Sequence, residues 1–339
     1  MAGESFAAIP SASVGCAGHA ATLWDVKPRL IALLAVATLL VAADAKQDPL
    51  NGFEIERHTV PRETIRAGGP GRDPLPEAKA EYAAVADASW VEPGTPVIGL
   101  ALGGQARAYP VHLMEYHQLV SDELGGTPIV VTYDPLTGTP RAFRRDVGSR
   151  TLRFGISGLV YNSNFLLYDR ETESLWSQFR GEAISGELSG KKLARLPVRQ
   201  ETLARWLERH PETRVLVRPR PKEIDYRYSP YKAYWLEDQI PYPVLAQDPR
   251  FHAKEIVLGV EVDGKSRAYL GSLLTRADHR AEDEFQGRRI RIEYDPDAAV
   301  FVWEAPDDVA VTDAYWFAWK AFHPDTGVWH DPGPPAKPD

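Results

Sequence analysis

Short apolar stretches separated by two-residue turns dominate the chain from residue 97 onward. VIGLAL (97–102) is followed by Gly103-Gly104 and QARAY, and VLGVEV (257–262) is followed by Asp263-Gly264 and KSRAY. Gly-Gly and Asp-Gly pairs are typical of the type I′ turn, which requires positive φ at both central residues. Each stretch is therefore predicted to form a β-hairpin.

The two hairpins open a longer internal repeat. Three further matches recur in the same order in both copies. They are RAY at 107–109 and 267–269, DE at 122–123 and 283–284, and YDP at 133–135 and 294–296. Ordered matches at nearly constant spacing indicate a duplicated unit. After each hairpin the pattern predicts a short helix and then a strand, over 111–120 and 127–133 in the first copy and over 270–276 and 288–294 in the second.

The pattern thus predicts an α+β fold, mostly antiparallel sheet, built from two related β-hairpin–helix–strand units. The first unit spans 97–245 and includes an inserted β-rich segment. The second spans 246–330 and ends in an apolar helix over YWFAWKAF. Residues 46–96, rich in Pro, Gly and charge, are predicted to form a wrapping arm, and 331–339 a disordered tail. Two separate domains, one for each copy, are the alternative.

Residues 1–45 have the pattern of a secretory signal peptide. Lys27 and Arg29 precede an apolar run over 30–43, and Ala43-Asp44-Ala45 fits the small-x-small cleavage pattern. We therefore expect a periplasmic or secreted protein with no stable membrane span after signal cleavage. An uncleaved membrane anchor is the alternative. Cys16, the only cysteine, would leave with the signal, so the mature chain would contain no thiol.

The net charge of the chain indicates which classes of partner to expect. The formal net charge is −8 and the sequence has no basic block, which argues against nucleic acid as a partner. We expect instead a small molecule or a metal ion. The sequence contains no H-E-x-x-H motif, cysteine pair or dinucleotide fingerprint that would identify a particular ligand.

Several longer motifs resemble one protein family. They are MEYHQLVSDELGG, TYDPLTGT, FGISGLVYNSNFLLYDRETESLWSQ and YWFAWKAFHPDTG. Together they resemble the bacterial family DUF3179, a domain of unknown function, over 51–329. The resemblance implies an exported or membrane-attached protein without an assigned activity. Members of the family usually carry Cys-Pro-Leu where this chain has Asp134-Pro135-Leu136, so we expect no thiol-based chemistry here.

Polar residues present in one copy only are candidates for chemistry, because residues shared by both copies serve the common fold. His117 has no counterpart histidine in the second copy. We predict that it acts as a metal ligand or as a general base, since imidazole suits both roles near neutral pH. The alternative is a core histidine bonded to a backbone carbonyl.

The unduplicated segment 169–178 supplies the second group of candidates. Asp169 is predicted to be the catalytic partner of His117, with Asp134 as the alternative partner. The predicted ligand-binding residues are Arg170, Ser174, Trp176 and Gln178, with Asn162, Asn164 and Ser157 nearby. Ser174, Trp176 and Gln178 would share one face of a strand and form the polar wall of a pocket. A local turn at Asp169-Arg170 and a core position for Trp176 are the alternatives.

Asp134 has two interpretations. It can bind a metal together with His117, and its oxygen ligands would favour harder metals than a cysteine sulfur does. It can also close a turn before Pro135, and Asp295 has the same setting in the second copy. The turn role is the one we favour.

Together these features predict an exported protein that binds a small molecule or metal around His117 and 169–178. A hydrolase-like enzyme with His117 as general base is one alternative. A periplasmic scaffold is the other, because the connector 226–242 carries five tyrosines and Trp235, residue types that are enriched at interaction surfaces.

Overall fold

The computed structural model describes residues 49–69, 71–74, 77–218, 224–226 and 228–330. The predicted signal peptide at 1–45 and the predicted tail at 331–339 lie outside the described residues. Most of the predicted arm and all of the repeat lie within them, apart from short gaps at 70, 75–76, 219–223 and 227.

Strands make up most of the regular structure in these ranges. In chain order they are β1 (Ile65–Ala67), β2 (Tyr82–Ala84), β3 (Pro96–Leu102), β4 (Gln105–Pro110), β5 (Leu119–Leu124), β6 (Thr127–Asp134), β7 (Thr139–Arg144), β8 (Asp146–Val147), β9 (Arg150–Thr151), β10 (Phe154–Tyr161), β11 (Asn164–Asp169), β12 (Leu175–Ser177), β13 (Glu182–Ser185), β14 (Arg195–Leu196), β15 (Arg199–Thr202), β16 (Arg214–Leu216), β17 (Ile256–Val262), β18 (Lys265–Leu270), β19 (Arg280–Phe285), β20 (Arg288–Asp295), β21 (Val300–Glu304), β22 (Ala310–Tyr315) and β23 (Gly327–Val328).

The helices are short. They are α1 (Val111–His117), α2 (Leu203–Arg209), α3 (Lys232–Leu236), α4 (Gly271–Arg276) and α5 (Trp316–Phe322), with 3₁₀ turns at Arg62–Thr64 and Val85–Asp87. The apolar C-terminal helix predicted over 315–322 corresponds to α5, whose Trp316 and Trp319 are fully buried. Within the described ranges no helix has the length and apolarity that crossing a membrane requires.

The strands of the described ranges form five small sheets and one two-stranded ribbon. The strand orders are β1-β10-β11-β12-β13, β14-β7-β6-β5, β15-β3-β4-β16-β2, β22-β17-β18-β23 and β19-β20-β21, with β8-β9 as the ribbon. The sheets are arranged like the blades of a five-bladed β-propeller. Blades of a propeller stand around a common axis and pack face to face, so most of the core lies between sheets.

The predicted α+β fold is wrong. Strands account for 43% of the structure and helices for 14%, and the longest helices have seven residues. Helices of this length join strands and cannot cover a sheet as a separate layer. Moreover, β3 and β4 pair in one sheet whereas β5, β6 and β7 form part of another. Each copy therefore contributes to two blades and does not fold as one hairpin–helix–strand unit.

Both predicted hairpins are present with the expected turns. β3 pairs antiparallel with β4, and the turn residues Gly103 and Gly104 have φ values of 59° and 77°. β17 pairs with β18 in the same way, with φ values of 49° at Asp263 and 74° at Gly264. Positive φ at both positions is what the type I′ turn requires.

Each hairpin also pairs with a strand from later in the chain, and the helix after that strand contacts the hairpin. β15 pairs with β3 and leads into α2, and β22 pairs with β17 and leads into α5. A tryptophan of each helix packs on a hairpin glycine. A Cβ on Gly99 would lie 2.4 Å from Trp206, and a Cβ on Gly259 would lie 2.2 Å from Trp319. The close approach of these rings requires glycine at both positions.

The inserted segment of the first copy forms most of a sheet of its own. β10, β11, β12 and β13 pair in sequence order, and β1 of the N-terminal arm pairs with β10. β2 of the same arm pairs with β16 in another sheet. The predicted wrapping arm thus supplies edge strands to two sheets.

We expect Gly99→Ala to lower the free energy of unfolding by about 1–3 kcal/mol, because the added methyl group overlaps the Trp206 ring. Gly94→Ala is the matched control, since a Cβ there meets no atom within 4 Å, and its effect should stay below about 0.5 kcal/mol. Urea unfolding of the parent and both variants measures the two effects. Equal stability of all three proteins would contradict this packing.

Candidate functional site

A cavity of about 490 Å³ lies beside α1, between the end of β6 and the inserted sheet. Its apolar wall comes from β10 and β11 and contains Ile156, Leu159, Val160 and Phe165. Its polar side contains Glu115, Gln118, Asp134 and Tyr231. This cavity is termed the Glu115–Asp134 pocket below.

Helix α1 brings Glu115 to the pocket. Leu113 and Met114 are fully buried and anchor the helix in the core. The helix ends at His117 because Gln118 adopts a left-handed φ of 57°, and the Gln118 N–H donates to the carbonyl oxygen of Met114 at 2.8 Å. This left-handed cap leaves both Glu115 and Gln118 at the pocket.

The Glu115 carboxyl group is buried and incompletely paired. The residue is 6% exposed, and its Oε2 atom has no hydrogen-bond partner among the described residues. Burial raises the pKa of Glu115 to about 7, although a hydrogen bond with Ser229 opposes the shift. A carboxyl group that titrates near neutral pH can both accept and donate a proton at that pH.

Asp134 is the second buried carboxyl group of the pocket, and both of its oxygens are paired. Oδ1 accepts a hydrogen bond from the Leu136 N–H (2.9 Å). Oδ2 accepts from Asn164 Nδ2 (2.7 Å) and from the Phe165 N–H (3.0 Å). Burial raises the pKa of Asp134 to about 6, while the donors from Phe165 and Leu136 oppose the shift. At pH 7 the group is therefore largely ionised and stabilised by these donors.

A buried network behind Asp134 fixes the Asn164 amide. Asn164 Nδ2 also donates to Gln178 Oε1 (2.8 Å), and Asn164 Oδ1 accepts from the Phe179 N–H (3.0 Å). Gln178 Nε2 in turn donates to Thr132 Oγ1 (3.1 Å). Asn164 and Gln178, predicted as ligand-binding residues, thus position Asp134 and are not part of the pocket lining.

His117 is not part of the pocket lining either. The residue is 5% exposed, and its Nε2 atom lies 2.5 Å from the Tyr226 hydroxyl oxygen. The Asp169 carboxylate, its predicted catalytic partner, accepts hydrogen bonds from the Thr172 N–H (2.7 Å) and Trp176 Nε1 (2.9 Å). These bonds close a local turn and do not join Asp169 to His117.

Among the described residues, no third side chain of a usual metal-binding type joins His117 and Asp134 at the predicted metal site. In the described part of the chain, no group of three or more His, Cys, Asp or Glu side chains is placed to hold a metal ion. Both Asp134 oxygens already accept hydrogen bonds from N–H groups, which a cation would have to displace.

Three other predicted ligand-binding residues stabilise the inserted sheet. Arg170 forms an ion pair with Asp73 at 2.8 Å. Trp176 is fully buried in a cluster of apolar side chains. Ser157 Oγ donates to the carbonyl oxygen of Leu166 at 2.6 Å. Their contacts account for these residues without a ligand.

Ser174 and Asn162 hold loops in place. Ser174 Oγ accepts a hydrogen bond from the Leu188 N–H at 2.9 Å. Asn162 has a left-handed φ of 53°, and its Nδ2 donates to the carbonyl oxygen of Ala321 at 3.3 Å. Neither residue lines the Glu115–Asp134 pocket.

The tyrosine-rich connector covers one side of the pocket. Tyr231 OH accepts a hydrogen bond from Gln118 Nε2 (3.0 Å), and Tyr234 OH donates to the carbonyl oxygen of Leu136 (2.7 Å). Burial raises the pKa of Tyr231 to about 12, so its hydroxyl stays protonated at neutral pH. Tyr228 is 67% exposed. The segment predicted as an interaction surface thus directs Tyr231 and Tyr234 toward the protein.

Glu115 meets the same criterion as His117, occurrence in one copy only, but it was not among the predicted site residues. α4 begins at Gly271 as α1 begins at Val111, so Thr275 is the counterpart of Glu115. Glu115 therefore occurs in one copy only. Gln118 follows the end of the helix, so its place beside Glu115 comes from the left-handed turn and not from helical spacing.

One protein family matches the chain. Its model, described as "Protein of unknown function (DUF3179)", matches residues 72–306, and this range contains the whole polar side of the pocket. The resemblance found in the sequence motifs is thereby confirmed. No curated protein and no solved structure matches the chain.

We expect the contribution of Glu115 to the stability of the parent protein to fall as the pH rises from 4.5 to about 7, because Glu115 ionises at lower pH in the unfolded chain than in the folded one. A raised carboxyl pKa means that the folded state binds more protons in this window. The contribution is thus fully present below pH 4.5 and lost above pH 7. Glu115→Gln should remove this part of the loss and be more stable than the parent at pH 8, by on the order of 2 kcal/mol.

Chemical unfolding at pH 4.5, 6, 7 and 8 measures this effect. Glu123→Gln is the matched control, because Glu123 is exposed and its replacement should leave the pH profile of the parent unchanged. Asp134 also lowers the stability as the pH rises, and it does so in all three proteins. Only the difference between the stability profiles of the parent and Glu115→Gln therefore reports on Glu115. Identical profiles for the parent and Glu115→Gln would show that Glu115 ionises normally.

Proposed function

We propose that this chain, which belongs to the DUF3179 family, binds a small organic molecule in the Glu115–Asp134 pocket. The observation that carries the proposal is the Glu115 Oε2 atom, which is buried beside the cavity without a hydrogen-bond partner among the described residues. A buried polar atom without a partner costs about 1–3 kcal/mol. A ligand that donates a hydrogen bond to Oε2 would recover this free energy on binding.

The lining supports a ligand with an apolar body and at least one N–H or O–H donor. The volume of about 490 Å³ falls within the range of roughly 300–1,000 Å³ that is usual for small-molecule sites. Leu159, Val160 and Phe165 suit the apolar body. Glu115 and Asp134 add negative charge as the pH rises through 6 and 7, which favours a basic nitrogen as the donor.

We also propose that the protein acts outside the cytoplasm, in the periplasm or as a secreted protein. The support is the signal-peptide pattern at 1–45, with Lys27 and Arg29 before the apolar run and Ala43-Asp44-Ala45 after it. The ligand would then be a compound that reaches that compartment.

A second candidate function is acid–base catalysis on the bound molecule, as in a hydrolase. The observation that favours it is a pKa of about 7 for Glu115 beside a pKa of about 6 for Asp134. Two carboxyl groups whose surroundings separate their pKa values can divide the roles of acid and base. Glu115 would then be the general base in place of His117, because Glu115 faces the cavity and His117 does not.

We expect a thermal-shift screen of compact amines and alcohols to find compounds that raise the Tm of the parent protein. These compounds should bind Glu115→Met at least about tenfold more weakly, since methionine removes the acceptor and the charge at similar size; tenfold corresponds to about 1.4 kcal/mol. Titration calorimetry of the parent and variant measures the difference, and circular dichroism checks that the variant is folded.

A second pair of variants tests the location without touching a carboxyl group. Gly69 lines the pocket, and a Cβ there meets no atom within 4 Å, so Gly69→Leu should narrow the cavity and weaken binding. Gly94→Leu is the control, since Gly94 has equally open surroundings away from the pocket. Compounds that bind Glu115→Met and Gly69→Leu as tightly as the parent would place the binding site elsewhere.

A further inference from the structure

One arginine occurs in both copies of the repeat, as Arg107 and Arg267, and its contacts differ between the two copies. In the second copy, Arg267 Nη1 lies 2.5 Å from Asp283 Oδ2, which also accepts a hydrogen bond from Tyr269 OH at 2.6 Å. The Arg267 guanidinium is therefore paired with a carboxylate of its own copy. Its neighbour on the adjacent parallel strand β23 is Gly327, so no second charge lies opposite it.

In the first copy the corresponding carboxylate is bound by two tyrosines. Asp122 Oδ2 accepts hydrogen bonds from Tyr109 OH (2.8 Å) and from Tyr82 OH (2.6 Å). Tyr82 comes from β2 of the N-terminal arm. The Arg107 guanidinium lies over the Tyr82 ring, with Cζ 4.5 Å from the ring centroid, and does not pair with Asp122. Its Nε atom is buried without a hydrogen-bond partner among the described residues.

A second arginine lies directly opposite Arg107. β16 pairs parallel with β4, and the register places Arg214 across from Arg107. Neighbouring strands are about 4.8 Å apart, and like charges in opposite positions are destabilising. Arg214 Nη2 donates to the carbonyl oxygen of Tyr82. In the described part of the chain, Arg107 Nη1 donates to the carbonyl oxygen of Ala106 at 3.3 Å, and neither Arg107 nor Arg214 has a carboxylate within ion-pair distance. No carboxylate therefore neutralises either guanidinium group.

Both arginines line a groove of about 690 Å³ at the tip of the β3–β4 hairpin. Arg209 also lines it and is paired with the buried carboxylate of Glu201. Burial and the charge of Arg209 lower the pKa of His210. Glu212 is the one carboxylate in the lining of this groove, and the groove therefore carries an excess of positive charge on an acidic protein.

We propose that Arg107 and Arg214 bind the carboxylate or phosphate group of a small anionic molecule in this groove. Guanidinium groups bind such oxyanions through paired N–H donors, and an anion between the two arginines would pair with both guanidinium groups. The counterpart arginine of the second copy is already neutralised by Asp283, so that copy has no equivalent site. This site is separate from the Glu115–Asp134 pocket.

Titration calorimetry with inorganic phosphate and with citrate, at constant ionic strength, tests the site. The parent should bind at least one of the two anions, and Arg107→Gln and Arg214→Gln should each weaken binding at least tenfold. Arg267→Gln, which removes the paired arginine of the second copy, should bind as the parent does. Binding of phosphate alone assigns a phosphate ligand, and binding of citrate alone assigns a carboxylate ligand.

Tyr82→Phe supplies a test that keeps both arginines. It removes the hydroxyl that occupies Asp122 Oδ2, so Arg107 can pair with Asp122 as Arg267 pairs with Asp283, and anion binding should weaken. Gly69→Leu should bind the anion as the parent does, which separates this site from the proposed pocket. Absence of saturable binding of both anions to the parent, or an equal loss in Arg267→Gln, would overturn the proposal.

Discussion

The hydrogen bonds that Asn164 and Phe165 donate to the buried Asp134 carboxylate join the sheet of β6 to the inserted sheet of β11. A carboxylate inside a protein is stable only when donors replace the water it has lost. The inserted sheet supplies two of these donors, and the Leu136 N–H, on the side of β6, supplies another. This buried group therefore links the two sheets at the edge of the Glu115–Asp134 pocket, beside the apolar cluster that also packs them together.

Differences between the copies create both proposed sites. In the second copy, Asp295 Oδ1 accepts hydrogen bonds from the Asp297 and Ala298 N–H groups, which is the turn role that the sequence favoured for Asp134. In the first copy the insertion adds donors to Asp134 and walls to a cavity. The position at which the resemblance places a cysteine in other family members is thus part of a pocket here.

Turn chemistry is local, and for this reason the hairpins at 97–110 and 257–270 could be predicted from sequence. Pairing between strands that are distant in the chain is not local: β15 pairs with β3, and β1 pairs with β10, across long stretches of sequence. The sequence of a short apolar strand does not show which sheet edge the strand pairs with. For this reason the pattern predicted two hairpin–helix–strand units where the structure has several small sheets.

The same limit applies to the site. Occurrence in one copy selected His117, Asp169 and Trp176, but it does not distinguish a side chain that faces a cavity from one that closes a turn or fills the core. Asp169 bonds within its own turn and Trp176 lies in the core. Glu115 meets the same criterion, and only the left-handed turn at Gln118 and the walls from the inserted sheet show that it faces a cavity.

Glu115 is a buried carboxyl group beside the pocket, and its raised pKa of about 7 makes it titrate near neutral pH. Carbon-13 NMR of protein labelled at the glutamate carboxyl carbons measures this directly, with the Glu115 signal assigned by its loss in Glu115→Gln. We expect a titration midpoint near 7 for this signal. The midpoint should shift when a ligand binds in the pocket. A midpoint near the ordinary glutamate value of about 4.3, unchanged by ligand, would contradict it.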